Sequence, residues 1–200
     1  AFGRRRLFGN GLSALVTLMG ISPGLVVLFV VGPLAVDGRA ALASGWPRWL
    51  TYFGLLGAGF MLVEVAVLQR FVLLLGHPVY SLTVTLFSLL LGTGFGSLIS
   101  RRIAPPRVRD ITVRALVGVT IVAIAAAAGL ARLVDLGIPW PLPVRIAFAV
   151  ALIAPVGILL GMPLPGGIRL VAVDHPDMIP WGWGINGALS VVGATLAVFI

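Results

Sequence analysis

Apolar residues in this chain neither alternate nor form a narrow recurring stripe. They come in long uninterrupted runs, separated by short clusters of arginine, proline, glycine and aspartate. Each run is about 20 residues long, the length at which an α-helix crosses the hydrocarbon core of a bilayer. The absence of period-two alternation argues against the strands of a membrane barrel. Six such runs can be read, at about Leu12–Val36, Arg48–Leu75, Val79–Ser100, Ile111–Leu130, Val144–Leu160 and Trp181–Ile200. A kink is expected in the first at Ser22-Pro23-Gly24, where proline removes a helix hydrogen bond. Trp46, Trp49 and Tyr52 open the second run and Trp181 and Trp183 the last, in the manner of aromatic side chains at a membrane interface.

Turn-rich connections divide the runs. Asp37–Pro47 reads as a linker, Gly76-His77-Pro78 as a tight connection, and Asp135–Pro143 as a proline-rich connector. The proline-rich stretch Gly161–Pro180 is expected to break regular helix and to hold a re-entrant or interfacial piece. No repeat of fixed period and no soluble domain stand out. The pattern predicts an all-α fold: one polytopic integral membrane helix bundle over residues 1–200, with about six transmembrane helices.

Composition strengthens that reading. Sixty per cent of the residues are hydrophobic and 10% are charged, against roughly 25% charged in soluble domains. So few charges cannot cover a water-facing surface, whereas lipid requires none. The net charge of +8 comes from arginine alone. These arginines stand between apolar runs, where they anchor helix ends at lipid headgroups, so nucleic acid is not an expected partner. There is no cysteine, which excludes disulfides and thiolate chemistry. The Arg4–Arg6 trio before an apolar run resembles a signal peptide, but the run is too long for a signal core of about 7–15 residues. A chain that begins at Ala1 is expected to be processed or to be a piece of a longer one. Six spans would put Arg4, Arg5, Arg6, Arg70, Arg132 and Arg145 on one side. Arg39, Arg48, Arg101, Arg102, Arg107, Arg109, Arg114 and Arg169 would fall on the other, so charge bias leaves the orientation open.

Candidate chemistry is sparse. Glu64 is the one acidic residue inside an expected span, near the middle of the second. Such a charge is costly and faces a bundle interior or a wet cavity. It reads either as a structural partner locking helices together or as a proton or ion site. Gln69 and Arg70 follow on the same helix. Arg70 is close enough to the helix end for its side chain to reach the interface, and its six-residue separation from Glu64 puts the two on different faces. Gly92-Thr93-Gly94-Phe95-Gly96 looks like a nucleotide loop but lacks the preceding strand and following helix. Gly92 and Gly96 instead have the spacing that lets membrane helices approach closely. Gly182, Asn186, Ser190 and Ala194 form a similar four-residue stripe, in which Asn186 and Ser190 can bond across helices. Asp174-His175-Pro176-Asp177 reads as a polar turn, and His77 as a turn residue. A metal site needs three or four convergent ligands. No base stands beside a nucleophile at local spacing, and no catalytic residue, cofactor or metal is expected.

Three segments together carry a family resemblance. They are Gly57-Ala58-Gly59-Phe60-Met61-Leu62-Val63-Glu64-Val65-Ala66-Val67-Leu68-Gln69-Arg70-Phe71, running on to Leu75-Gly76-His77-Pro78-Val79-Tyr80; Gly161-Met162-Pro163-Leu164-Pro165-Gly166-Gly167-Ile168-Arg169-Leu170; and Pro180-Trp181-Gly182-Trp183-Gly184-Ile185-Asn186-Gly187-Ala188. In this order, over about Arg48 to Ile200, the chain resembles the C-terminal membrane portion of bacterial multi-span spermidine-synthase-like proteins. The chain departs from the family pattern at Leu164, where an aromatic residue often stands. The resemblance implies a multi-pass protein of the bacterial inner membrane. It also implies an aminopropyltransferase-like domain elsewhere in a longer chain, so no cofactor or substrate residue transfers to the residues here. Three functions are expected from these readings. The first is a non-catalytic membrane scaffold that tethers such a domain or packs as a subunit of a larger membrane complex. The second is a transporter or channel for a small cationic solute using Glu64. The third is a membrane-bound aminopropyltransferase whose catalytic domain lies outside these residues.

Overall fold

The computed structural model describes residues 46–198, with a few isolated positions between Ser13 and Gly32. Apart from those isolated positions the expected first span and its kink lie outside the described residues, as does the linker at Asp37–Pro47 apart from Trp46 and Pro47, which already belong to a helix. Regular structure among the described residues is all α-helical. The helices are α1 (Trp46–Leu75), α2 (Pro78–Arg102), α3 (Val108–Gly137), α4 (Leu142–Leu160), α5 (Pro163–Asp174) and α6 (Ile179–Ala197). Short 3₁₀ turns at Pro105–Arg107 and Pro176–Met178 precede α3 and α6.

Among the described residues, four stretches are long and apolar enough to cross a membrane: Trp46–Leu75, Pro78–Arg102, Pro105–Gly137 and Leu142–Asp174. Their outer faces carry large apolar side chains, with Leu90 67% and Ile124 66% exposed. A monomer in water does not sustain apolar surface on this scale. The chain is a multi-pass membrane protein in contact with lipid.

Two compact units divide the chain: residues 1–62 with 177–200, and residues 63–176. In the first, the N-terminal part of α1 lies against α6. Gly182 faces the Phe53 ring, Gly57 faces the Asn186 backbone and the Ser190 hydroxyl, and Gly193 faces the Ala58 backbone. Residue numbers rise together along both helices, so this pair runs parallel.

The second unit is built on α2 and α4, which are also parallel. Gly92 and Gly96 of α2 meet Gly157 and Gly161 of α4, two pairs with the same four-residue spacing. A Cβ on Gly92 would come within 2.6 Å of the Ala154 carbonyl oxygen, and one on Gly157 within 3.0 Å of the Leu89 carbonyl oxygen. Only glycine lets these backbones approach so closely, which brings Cα–H groups against carbonyl oxygens along the seam. Helix α3 provides the return crossing between the two parallel helices.

Local chemistry explains the joints. Gly76 takes the left-handed conformation (φ 73°) that ends α1. His77 then caps α2, its Nδ1 accepting a hydrogen bond from the Val79 N–H at 3.3 Å. Pro78 occupies the first helical position, where the missing N–H costs nothing. Gly161–Pro180 interrupts regular helix as expected, at Gly161–Met162 and again at His175–Met178, and the same rule explains the short helix between the two breaks. The chain turns at Gly161 and Met162 and then forms a 12-residue helix, because Pro163 and Pro165 fall in its first turn rather than its interior. Likewise α3 continues through Asp135 to Gly137, beyond the expected connector boundary, since no helix breaker intervenes.

The seam yields a direct test. Gly96→Val should lower the thermal midpoint in detergent by an amount equivalent to about 2 kcal/mol or more, because the added Cβ would strike the Ile158 carbonyl, which cannot move aside. Gly94→Ala, at a position with nothing nearby, should leave the midpoint unchanged or raise it slightly. Equal effects of the two substitutions in circular-dichroism melts would refute the seam as described.

Candidate functional site

Besides the threonines and serines that bond back to their own helix, two groups of polar side chains stand out within the helices. Those of the first group bond to the backbone of a neighbouring helix. Arg145, near the start of α4, donates through Nη1 to the Leu74 carbonyl at 3.0 Å and through Nε to the Trp140 carbonyl at 2.8 Å. It thus caps the C-terminal end of α1, where unpaired carbonyls and the helix dipole favour a cation. Arg169 of α5 does the same for α2, donating to the Ser100 carbonyl at 2.6 Å and the Ile103 carbonyl at 2.8 Å. Ser81 of α2 donates to the Leu68 carbonyl at 3.3 Å. In the first unit Asn186 of α6 donates through Nδ2 to the Phe53 carbonyl at 2.9 Å.

The second group lacks such partners. Glu64 is half-buried on α1, and among the described residues it has no hydrogen-bond or ion-pair partner. The fixed partner expected for a structural Glu64 is therefore not among them. Thr85 and Ser88 on α2 are fully buried, and their hydroxyls are also unpartnered. The Ser81–Leu68 bond sets the depth relation of α1 and α2. One turn further along each helix stand Glu64 and Thr85, and Ser88 follows less than a turn beyond. The acid and the two free hydroxyls therefore lie within about one helical turn of the same depth in the second unit.

The remaining candidate residues have definite places. Gln69 and Arg70 are exposed on α1. Gly92 and Gly96 are buried in the α2–α4 seam, within an unbroken helix rather than a loop. Gly182 is buried against Phe53. Ser190 was expected to bond across helices, but its hydroxyl donates to Asn186 of its own helix at 2.8 Å. Ala194 is only half-buried, and the close contact at that level belongs to Gly193. A strict four-residue stripe drifts round a helix of 3.6 residues per turn, so the contact face steps back by one position. Asp174 ends α5 and His175 follows as its C-cap, and no cluster of metal-ligating side chains occurs among the described residues.

A cavity of about 270 Å³ opens between α1, α3 and α4 of the second unit. Every residue lining it is apolar, including Val67, Phe71, Ala126, Leu130, Ile153 and Val156. Sequence reading missed this space and the capping roles of Arg145 and Arg169. The small residues of the Ala125–Ala128 run, which thin one side of α3, were the available signal for the cavity.

The arginine caps predict a graded result. Arg169→Met should destabilise the protein by about 3 kcal/mol in detergent unfolding, since it removes two hydrogen bonds from a charged donor and leaves helix-end carbonyls bare. Arg169→Lys should recover part of this, because an ammonium keeps the charge but not the forked geometry. A melting curve for the Met variant that overlays the parent would contradict the capping role. No protein family, curated protein or solved structure matches the chain.

Proposed function

We propose that these residues form a non-catalytic membrane scaffold, which tethers a soluble domain of a longer chain or packs as a subunit of a larger assembly in the bacterial inner membrane. The observation that carries this reading is the use of the interhelical polar groups. Arg145, Arg169, Ser81 and Asn186 each donate to the backbone of a neighbouring helix. Side chains committed to helix ends and helix backbones build a rigid bundle, not an aqueous path. The motif resemblance to spermidine-synthase-like membrane portions supports the tethering form, with an aminopropyltransferase-like domain outside these residues. Extraction in mild detergent followed by size-exclusion chromatography should give a complex larger than this chain, or a chain carrying further domains. A chain recovered repeatedly alone and monomeric would overturn the proposal.

A second reading has an observation of its own. Glu64 lies inside a span without a hydrogen-bond or ion-pair partner among the described residues, and a carboxylate so placed suits a small cation. As a transporter or channel, the protein should lose at least tenfold in cation flux into proteoliposomes on Glu64→Gln. Unchanged flux would end this reading.

The second unit also supports an orientation. Arg101, Arg102, Arg107, Arg109, Arg114 and Arg169 lie toward the end where α2 finishes and α3 begins, whereas Arg70, Arg132 and Arg145 lie toward the opposite end. Positive charge accumulates on the cytoplasmic side, which places the α2–α3 connection there. These 200 residues contain no cysteine, so in a version of the protein free of other cysteines Pro106→Cys should resist impermeant maleimide in intact cells while His77→Cys is labelled. The reverse pattern would invert the topology.

A further inference from the structure

We infer that the cavity between α1, α3 and α4 is a binding site for one acyl chain of an anionic phospholipid, with Arg70 and Arg132 holding its phosphate. The cavity is wholly apolar and open at its surface, and it lies between helices long and apolar enough to span a membrane. Neither Arg70 nor Arg132 lines it, but each stands one residue from a lining position. Arg70 precedes the lining residue Phe71 on α1, and Arg132 precedes the lining residue Leu133 on α3.

Depth is fixed by the contact of Leu74 with Gly137. Arg70 lies four residues back from Leu74 and Arg132 five back from Gly137, both about 6–8 Å along their helices. The two guanidinium groups therefore belong to the same end of the cavity. Trp140, beside Gly137, marks the interfacial level at that end. An arginine one turn inside that level extends outward to phosphate depth.

Both cations are available. Arg70 and Arg132 are exposed and have no hydrogen-bond or ion-pair partner among the described residues. Arg145, at the same end, differs because the Leu74 and Trp140 carbonyls already occupy its guanidinium. Asp135, exposed one turn beyond Arg132, makes no ion pair with it among the described residues. Two guanidinium groups at the depth of one end of an apolar slot, without partners among the described residues, complement a phosphodiester head on a hydrocarbon tail, and a forked donor suits phosphate oxygens. The inference goes beyond the scaffold reading and does not depend on it.

The test is native mass spectrometry of the whole protein in non-ionic detergent, titrated with phosphatidylglycerol and with phosphatidylcholine of the same acyl chains. Phosphatidylglycerol should be retained about tenfold better. Arg70→Gln and Arg132→Gln should each reduce its retention about fivefold and leave phosphatidylcholine unaffected. The double variant Arg101→Gln/Arg102→Gln, at the far ends of the helices, should change neither. Equal retention of the two lipids, or an equal loss from the far-end variant, would overturn the site. A photoreactive leucine analogue at position 130 tests the tail independently. Irradiated in membranes, it should give an adduct of phospholipid mass, whereas cross-linking only to another segment of this chain, to another protein or to nothing would refute the inference.

Discussion

The second unit rests on a contact between two backbones. Helices α2 and α4 meet through Gly92 and Gly96 on one side and Gly157 and Gly161 on the other. In lipid there is no hydrophobic drive to bring apolar helices together, since hydrocarbon solvates leucine as well as another helix does. Association must then come from close packing, and close packing is greatest where side chains are absent. The first unit applies the same device with Gly57, Gly182 and Gly193. In both units the large apolar side chains are left free to face outward, as Leu55, Leu90 and Ile124 do.

Backbone proximity has a second consequence, which concerns helix ends. A helix terminates with unpaired carbonyls, and a carbonyl near hydrocarbon is expensive to leave unbonded. Arg145 and Arg169 resolve this at the ends of α1 and α2, each reaching from a helix far away in sequence. Each cap thereby also fixes the depth of one helix against another. Sequence positions 74 and 145, or 100 and 169, are held by a charged hydrogen bond that slides out of register if either helix shifts by a turn. The glycine seam sets how closely helices approach, and the arginine caps set how far along each other they lie.

Much of this was legible in the sequence, for reasons tied to particular residues. Runs such as Val79–Ser100 and Arg48–Leu75 announced helices because length and composition alone decide the matter in lipid, and the structure forms helices over Pro78–Arg102 and Trp46–Leu75. Gly76-His77-Pro78 was readable as a joint, since each residue suits one position of a helix end or start. The prolines at 163 and 165 marked a break in helix but not its extent, because a proline in the first turn opens a new helix instead of interrupting it. The partners of Arg145 and Arg169 could not be read, since a carbonyl acceptor has no residue signature. Gly157 and Gly161 carried the same spacing as Gly92 and Gly96, yet spacing on one helix does not name the helix it will meet. The cavity was illegible for a related reason: a gap is a property of three helices, and no single one encodes it.

Glu64 stands apart from the other intramembrane polar groups. Arg145, Arg169, Ser81 and Asn186 each end on a carbonyl of a neighbouring helix, so their desolvation is compensated. A carboxylate cannot use that solution, because it accepts hydrogen bonds and backbone carbonyls offer none. Backbone N–H groups within a helix are already engaged, which leaves side-chain N–H or O–H donors, cations, water or a bound proton to satisfy it. Near its depth the second unit supplies the hydroxyls of Thr85 and Ser88, both without partners. Among the described residues no cation pairs with Glu64. Arg145 and Arg169 are already engaged at helix ends, and Arg70 lies six residues along α1 on another face.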